Sequence, residues 1–112
     1  MNEIKFLLEA IEEAGATAIR KGQSWRATYT KEDKAVVELL SEYMKEAGMK
    51  ISFDAVGNLY ERIDGNSSDV IMIGSHRDTV RGGGKYDGML GVLTGIAAVK
   101  SLIKDYGNHK IP

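Results

Sequence analysis

Val70-Ile71-Met72-Ile73-Gly74-Ser75-His76-Arg77-Asp78-Thr79-Val80, followed at once by Gly82-Gly83-Gly84-Lys85-Tyr86-Asp87-Gly88, is the stretch that decides the fold of this chain. Val70 to Ile73 shows no polar alternation, which predicts a central strand covered on both faces. Beyond Gly88, apolar residues at Leu90, Val92, Leu93, Ile96, Ala97, Val99, Leu102 and Ile103 keep helical spacing. They predict a broad-faced, well-buried helix that starts near Gly88 or Met89. A histidine and two aspartates therefore sit in a glycine-rich loop between a buried strand and a helix. The carboxyl ends of strands in open α/β sheets are where ligands and chemistry collect.

Working outward, Glu3 to Arg20 carries Ile4, Leu7, Leu8, Ile11, Ala14, Ala18 and Ile19 as one apolar helical stripe. Lys21 to Tyr29 has no period and reads as a loop. Thr30 with Asp33 three residues later is a capping-box signature for a second amphipathic helix. Its inward face is Val36, Val37, Leu39, Leu40, Tyr43, Met44 and Ala47, and Gly48 stops it. The period then changes to two. Met49, Ile51 and Phe53 alternate with polar residues in a half-buried strand, Gly57-Asn58 turns, and Leu59 to Ile63 forms a second strand. Asp64 to Ser68 is loop by composition. The order helix, helix, strand, strand, strand, helix predicts an α/β fold with helices packed on a mixed β-sheet.

The 112 residues make one small domain, 1–112. A balance of 15 basic against 16 acidic residues leaves no basic footprint for nucleic acid. Without cysteine, disulfides and thiolate metal sites are excluded. The first twenty residues are too charged for a signal peptide, and no apolar run is long enough to cross a bilayer, so a cytoplasmic protein is expected with no membrane partner. Gly107 reads as a helix stop, and the tail from it to Pro112 as the lead-in to a further strand. The sheet is thin for so buried a central strand. Both features lead us to expect that part of the domain lies beyond this chain.

His76 is a good ligand for zinc and similar ions. Asp78 can accept its other ring N–H and fix the tautomer, and Asp87 sits at the start of a helix, where a carboxylate is favoured. Plainer readings stand beside these. A His-x-Asp occurs for many reasons, Asp87 can be only an N-cap, and the glycines can be only a surface loop. His109 reads as a solvated tail residue, and Trp25, Tyr43 and Tyr60 as packing groups. No Ser-His-Asp or Cys-His nucleophile pattern is present, and the glycine loop lacks the Lys-Ser/Thr of a phosphate-binding loop.

Taken together, Gly74-Ser75-His76-x-Asp78-Thr79-Val80 and Gly83-Gly84-x-Tyr86-Asp87-Gly88-x-Leu90-Gly91-Val92 resemble the first metal-site block of the hydantoinase/carbamoylase family. These are zinc-dependent amidohydrolases, including N-carbamoyl-L-amino acid hydrolases, allantoate amidohydrolases and β-ureidopropionases, within the aminoacylase/carboxypeptidase-like metallopeptidases. Trp25 to Asp33 and Asp54 to Leu59 look like the family's upstream landmarks, so the resemblance covers nearly the whole chain. It implies an incomplete part of a zinc-peptidase-like three-layer catalytic domain. It also implies two divalent ions (zinc, or manganese, cobalt or nickel), with His76 a terminal ligand, Asp87 the bridging ligand and Asp78 the catalytic residue that orients His76.

The implied reaction is metal-dependent hydrolysis of a linear amide or ureide C–N bond in an N-carbamoyl-L-amino acid or allantoate. The family's Glu-Glu pair, which supplies the general base, its later histidine ligands and its dimerisation or lid domain have no counterpart in residues 1–112. The chain alone is therefore expected to be inactive, to bind metal weakly or not at all, and to self-associate as a homo-oligomer or swapped form. Arg77 departs from the family's usual apolar residue and is expected to bring a cation near the metal site. A related aminoacylase or aminopeptidase fragment, and a degenerate non-catalytic binding module, remain as alternatives.

Overall fold

The computed structural model describes residues 3–20 and 22–107, with the side chain of Arg20 left aside. The elements are α1 (Glu3–Ala16), β1 (Ile19–Arg20), β2 (Gln23–Ser24), α2 (Lys31–Glu46), β3 (Lys50–Phe53), β4 (Leu59–Arg62) and α3 (Met89–Tyr106). Helices pack with small sheets as expected, but within the described residues the sheets are two antiparallel pairs, β1–β2 and β3–β4. The mixed sheet is not formed by them.

Helix α2 starts where its cap predicts. The Thr30 hydroxyl accepts from the Asp33 N–H at 3.2 Å, while the Asp33 carboxylate reaches back to the Tyr29 N–H at 3.1 Å. This is a capping box displaced by one residue. The helix ends because Gly48, at φ +83°, lets the Met49 N–H turn back to the Met44 carbonyl at 2.9 Å. Gly107 likewise stops α3, its N–H bonding the Ile103 carbonyl at 2.9 Å. The chain then alternates. Lys50 pairs with Arg62 and Phe53 with Leu59 around the Gly57-Asn58 turn.

Where the helices meet, the core is continuous. Phe6, Ala10, Ile11 and Ala14 of α1 join Val36, Leu40, Tyr43 and Met44 of α2, Met49, and Met89, Leu93, Ile96 and Ala97 of α3. Phe6 stands edge-on to Tyr43 at 5.2 Å between ring centres, and the Tyr43 hydroxyl donates to Glu13 at 2.9 Å. Each Val, Leu, Ile, Phe or Met side chain so taken out of water stabilises the fold by about 1.5–3 kcal/mol.

Three expectations fail here. Helix α1 ends at Ala16, and Ile19 turns into the short β1. The buried face of α1 is centred on Phe6 and Ala10, leaving Ile4 and Leu8 exposed. The largest departure is Val70 to Ile73. These residues are 59%, 74%, 77% and 62% exposed and form no ladder. A strand is buried on both faces only when neighbours flank it, and here β3 and β4 close on each other. Residues 108–112, with the expected further strand and His109, lie outside the described residues.

Candidate functional site

Two of the three predicted site residues lie in the segment after Ile73 and the third just before α3, and the structure brings them together. His76 Nδ1 stands 2.8 Å from Asp78 Oδ1, and His76 Nε2 stands 3.4 Å from Asp87 Oδ1. The three side chains are about half exposed, at 54%, 50% and 43%, so a small molecule can reach them. Asp87 is not a helix cap. Gly88 takes that position and no side chain caps α3, which leaves the Asp87 carboxylate facing the imidazole.

Glycine explains how the loop and α3 come so close. A Cβ on Gly88 would lie 2.3 Å from His76 Cε1 and Nδ1 and 2.5 Å from the His76 carbonyl oxygen. Gly88 also has φ +72° and ψ −47°, the centre of a γ-turn closed by the Met89 N–H on the Asp87 carbonyl at 2.8 Å; so sparsely populated a conformation costs side-chain-bearing residues about 1–3 kcal/mol. One turn on, a Cβ on Gly91 would meet Ser75 Oγ at 2.7 Å. The Ser75 hydroxyl donates to the Gly88 carbonyl at 2.8 Å. His76 therefore lies flat against the start of α3, and only glycine allows it there.

The other side of the loop is held by charge. The Arg77 guanidinium grips Asp33 with two bonds, Nε to Oδ1 at 2.7 Å and Nη2 to Oδ2 at 3.2 Å. Its Nη1 donates to the Gly57 carbonyl at 3.1 Å. Arg26, only 2% exposed, donates from Nε to the Arg77 carbonyl at 2.7 Å. Its Nη1 donates to Thr17 Oγ1 at 2.8 Å and to the Ala14 carbonyl at 3.2 Å. The Arg26 and Thr79 backbones exchange both bonds as an antiparallel bridge, at 2.9 and 2.8 Å. Burial alone would push the Asp33 carboxyl up. The Arg77 hydrogen bonds, the Tyr29 N–H and the charges of Arg77 and Arg26 outweigh it and hold Asp33 below the usual carboxylate range. Arg26 is lowered chiefly by burial.

These contacts correct the expectation for Arg77. Its guanidinium is taken up by Asp33 and the Gly57 carbonyl, and its charge is neutralised there. Sequence reasoning placed Arg26, Asp33 and Gly57 in the upstream landmarks and Gly88 in the motif itself, but gave none of them a part in holding His76. The available signal was that both upstream landmarks end on Arg77: Asp33 comes from one and Gly57 from the other.

The donor set fits part of a metal shell. Two ligands of one tetrahedral ion at about 2.0–2.2 Å stand about 3.3–3.5 Å apart, and His76 Nε2 and Asp87 Oδ1 are separated by 3.4 Å. His76 Nδ1 lies 3.1 Å from the Asp78 backbone carbonyl as well as 2.8 Å from its carboxylate; in the Nδ1–H tautomer that these acceptors favour, Nε2 is the nitrogen left free to ligate. No group of three or more His, Cys, Asp or Glu among the described residues is placed to hold an ion. The chain thus offers one edge of a shell, not a closed cage. No helix of the described residues is long and apolar enough to cross a membrane.

The chain is similar to known proteins along most of its length. The chain is 41% identical over 101 residues to an N-carbamoyl-L-amino-acid amidohydrolase of Pseudomonas sp. (strain NS671), covering 88% of this chain and 24% of that protein. It is 40% identical over 111 residues to an allantoate amidohydrolase of Bacillus subtilis (strain 168), covering 97% and 26%. Among solved structures, a hydantoinase/carbamoylase family amidase from Burkholderia ambifaria superposes with a TM-score of 0.81 at 35% identity, over 89% of this chain and 25% of that one. The chain spans about a quarter of the length of the relatives it matches. No family model matches it.

Proposed function

The chain belongs by sequence and fold to the hydantoinase/carbamoylase amidohydrolases, and on that footing we propose that it carries the His76–Asp78–Asp87 edge of a metal-dependent hydrolytic centre. The bond attacked is the linear amide or ureide C–N bond of an N-carbamoyl-L-amino acid or of allantoate. The observation that carries this reading is the convergence of His76 Nε2 and Asp87 Oδ1 at 3.4 Å, with Nδ1 held by Asp78 at 2.8 Å. His76 and Asp87 would hold zinc or a similar divalent ion, with Asp87 shared between two. Such ions, when bound, polarise a carbonyl and acidify a water.

The chain's own residues do the preparatory work. Asp78 keeps the Nδ1 proton and so keeps Nε2 free to ligate. Gly88 and Gly91 hold the ring against α3. The half-exposed carboxylates leave an open side for a small ureide. A general base would come from outside residues 1–112, so the chain alone would be inactive and a weak metal binder. The charged first helix supports a cytoplasmic location. The bare Val70 to Ile73 stretch supports a homo-oligomer, to be read by sedimentation.

The test is a chimera in which this chain replaces the matching quarter of the Bacillus subtilis enzyme. It should hydrolyse allantoate or N-carbamoyl amino acids when supplied with divalent metal. His76→Ala or Asp87→Ala should abolish turnover and lower bound metal, and Asp78→Asn should cost about 10–100-fold. Full activity in the His76→Ala and Asp87→Ala chimeras would refute the assignment, as would turnover by the 112-residue chain alone.

A further inference from the structure

The geometry points to Arg77 as a positioning residue whose ion pair with Asp33 sets the direction of the His76 and Asp78 side chains before any metal binds. The inference rests on the proposed function only in giving His76 a ligand's role.

Three observations carry it. First, the pair is shielded and forked. Arg77 and Asp33 side chains are 19% and 7% exposed, and the guanidinium meets the carboxylate through two bonds, a geometry that fixes orientation as well as distance. Second, residue 77 is pinned at both ends. Its side chain holds Asp33 and the Gly57 carbonyl, while its own carbonyl is held by buried Arg26. Third, consecutive side chains part company here. Arg77 meets Asp33 and the Gly57 carbonyl, whereas His76, between the anchored Ser75 and Arg77, meets Asp78 on one ring nitrogen and Asp87 on the other.

The preceding Val70 to Ile73 has no ladder partner. The segment is held instead by the Ser75 hydroxyl on the Gly88 carbonyl, the Arg26–Thr79 bridge, the Gly82 N–H on the Ser24 carbonyl and the anchors of Arg77. Of these, the Arg77–Asp33 fork is the one made by the residue between His76 and Asp78. The side chain that departs from the family's apolar residue is thus committed to Asp33 and acts through the residues on either side of it.

The experiment uses the full 112-residue chain carrying His109→Gln, which leaves His76 as its sole imidazole. Long-range nitrogen NMR at fixed mildly alkaline pH reads the His76 tautomer, and titration with Zn²⁺ reads affinity at the same ring. In the parent chain His76 should hold one tautomer, Nδ1–H. In Arg77→Leu and Asp33→Asn the tautomers should average, and Zn²⁺ affinity should fall about 10–100-fold. Arg77→Lys should recover part of both, because an ammonium keeps the charge but not the fork. Should Arg77→Leu fail to fold, the size-conserving Asp33→Asn and Arg77→Lys decide by the same readouts. A purely structural pair would lower the melting temperature while leaving tautomer and Zn²⁺ affinity unchanged in folded variants, and that result overturns the inference. If the parent binds no Zn²⁺ at His76 yet its tautomer responds to Arg77→Leu, the positioning role stands and the metal reading fails.

Discussion

Replacing Gly88 with alanine tests the packing of His76 on α3. Gly88 lies at φ +72° and ψ −47°, so alanine bears a backbone cost of about 1–3 kcal/mol. It gains nothing in helix propensity, because the position is the cap and not the helix interior. The new methyl would lie 2.3 Å from two imidazole atoms, where carbons ordinarily approach to about 3.5 Å. The ring must retreat by about 1.2 Å, more than its 2.8 Å bond to Asp78 can absorb. Losing that bond adds about 1 kcal/mol. The His76 carbonyl, 2.5 Å from the methyl, cannot swing aside as a side chain can, so the loop must shift too. The sum is about 2–4 kcal/mol. Gly84→Ala is the control, since Gly84 has φ +78° and open space around it; it bears the backbone cost alone. Urea unfolding followed by circular dichroism gives both values, and nitrogen NMR of His76 shows whether Nδ1–H is still held. Equal midpoints for the two variants, with the His76 signals of Gly88→Ala unchanged, would refute the reasoning.

Two further outcomes follow from the same structure. The Asp33 carboxyl is depressed in the fold, so its stabilisation is fully present above its unfolded value of about 3.9 and is lost as pH falls through the lower folded value. Urea midpoints should therefore be flat in this contribution above about pH 5 and fall below about pH 4, and Asp33→Asn should be less stable at neutral pH but flatter in acid. Leu93 is 0% exposed in the middle of α3; Leu93→Ala should cost about 2–5 kcal/mol by urea unfolding, and a loss well under 1 kcal/mol would show that the helix is not seated as described.

Most local structure was legible because it is decided locally. Thr30 and Asp33 announce the start of α2, Gly48 and Gly107 end helices, and Gly57-Asn58 turns β3 into β4. His76, Asp78 and Asp87 were legible as a constellation, and the structure groups them. Val70 to Ile73 was misread for a physical reason. An apolar run records the environment a strand is suited to, and the described residues do not supply the flanking strands. Arg77 was half read. Its charge is plain in the sequence, but its direction depends on Asp33, 44 residues away, and no local pattern encodes that pairing. Gly88 was read as a helix start, while its closer constraint, a ring pressed on its backbone, appears only once the loop folds over.

The reach of Arg26 bears on the order in which the molecule assembles. Its guanidinium joins a carbonyl 12 residues behind to one 51 residues ahead, and Arg77 spans a similar distance back to Asp33. Helices and hairpins close over short separations and form early, whereas such distant contacts wait on the entropy of closing long loops. The loop bearing His76 is thus expected to settle only after α1 and α2 have formed. Local openings that free it should come before global unfolding. A partly folded chain would hold its helices and yet present no arranged histidine, so the ordering of His76 is a marker for completion of the fold.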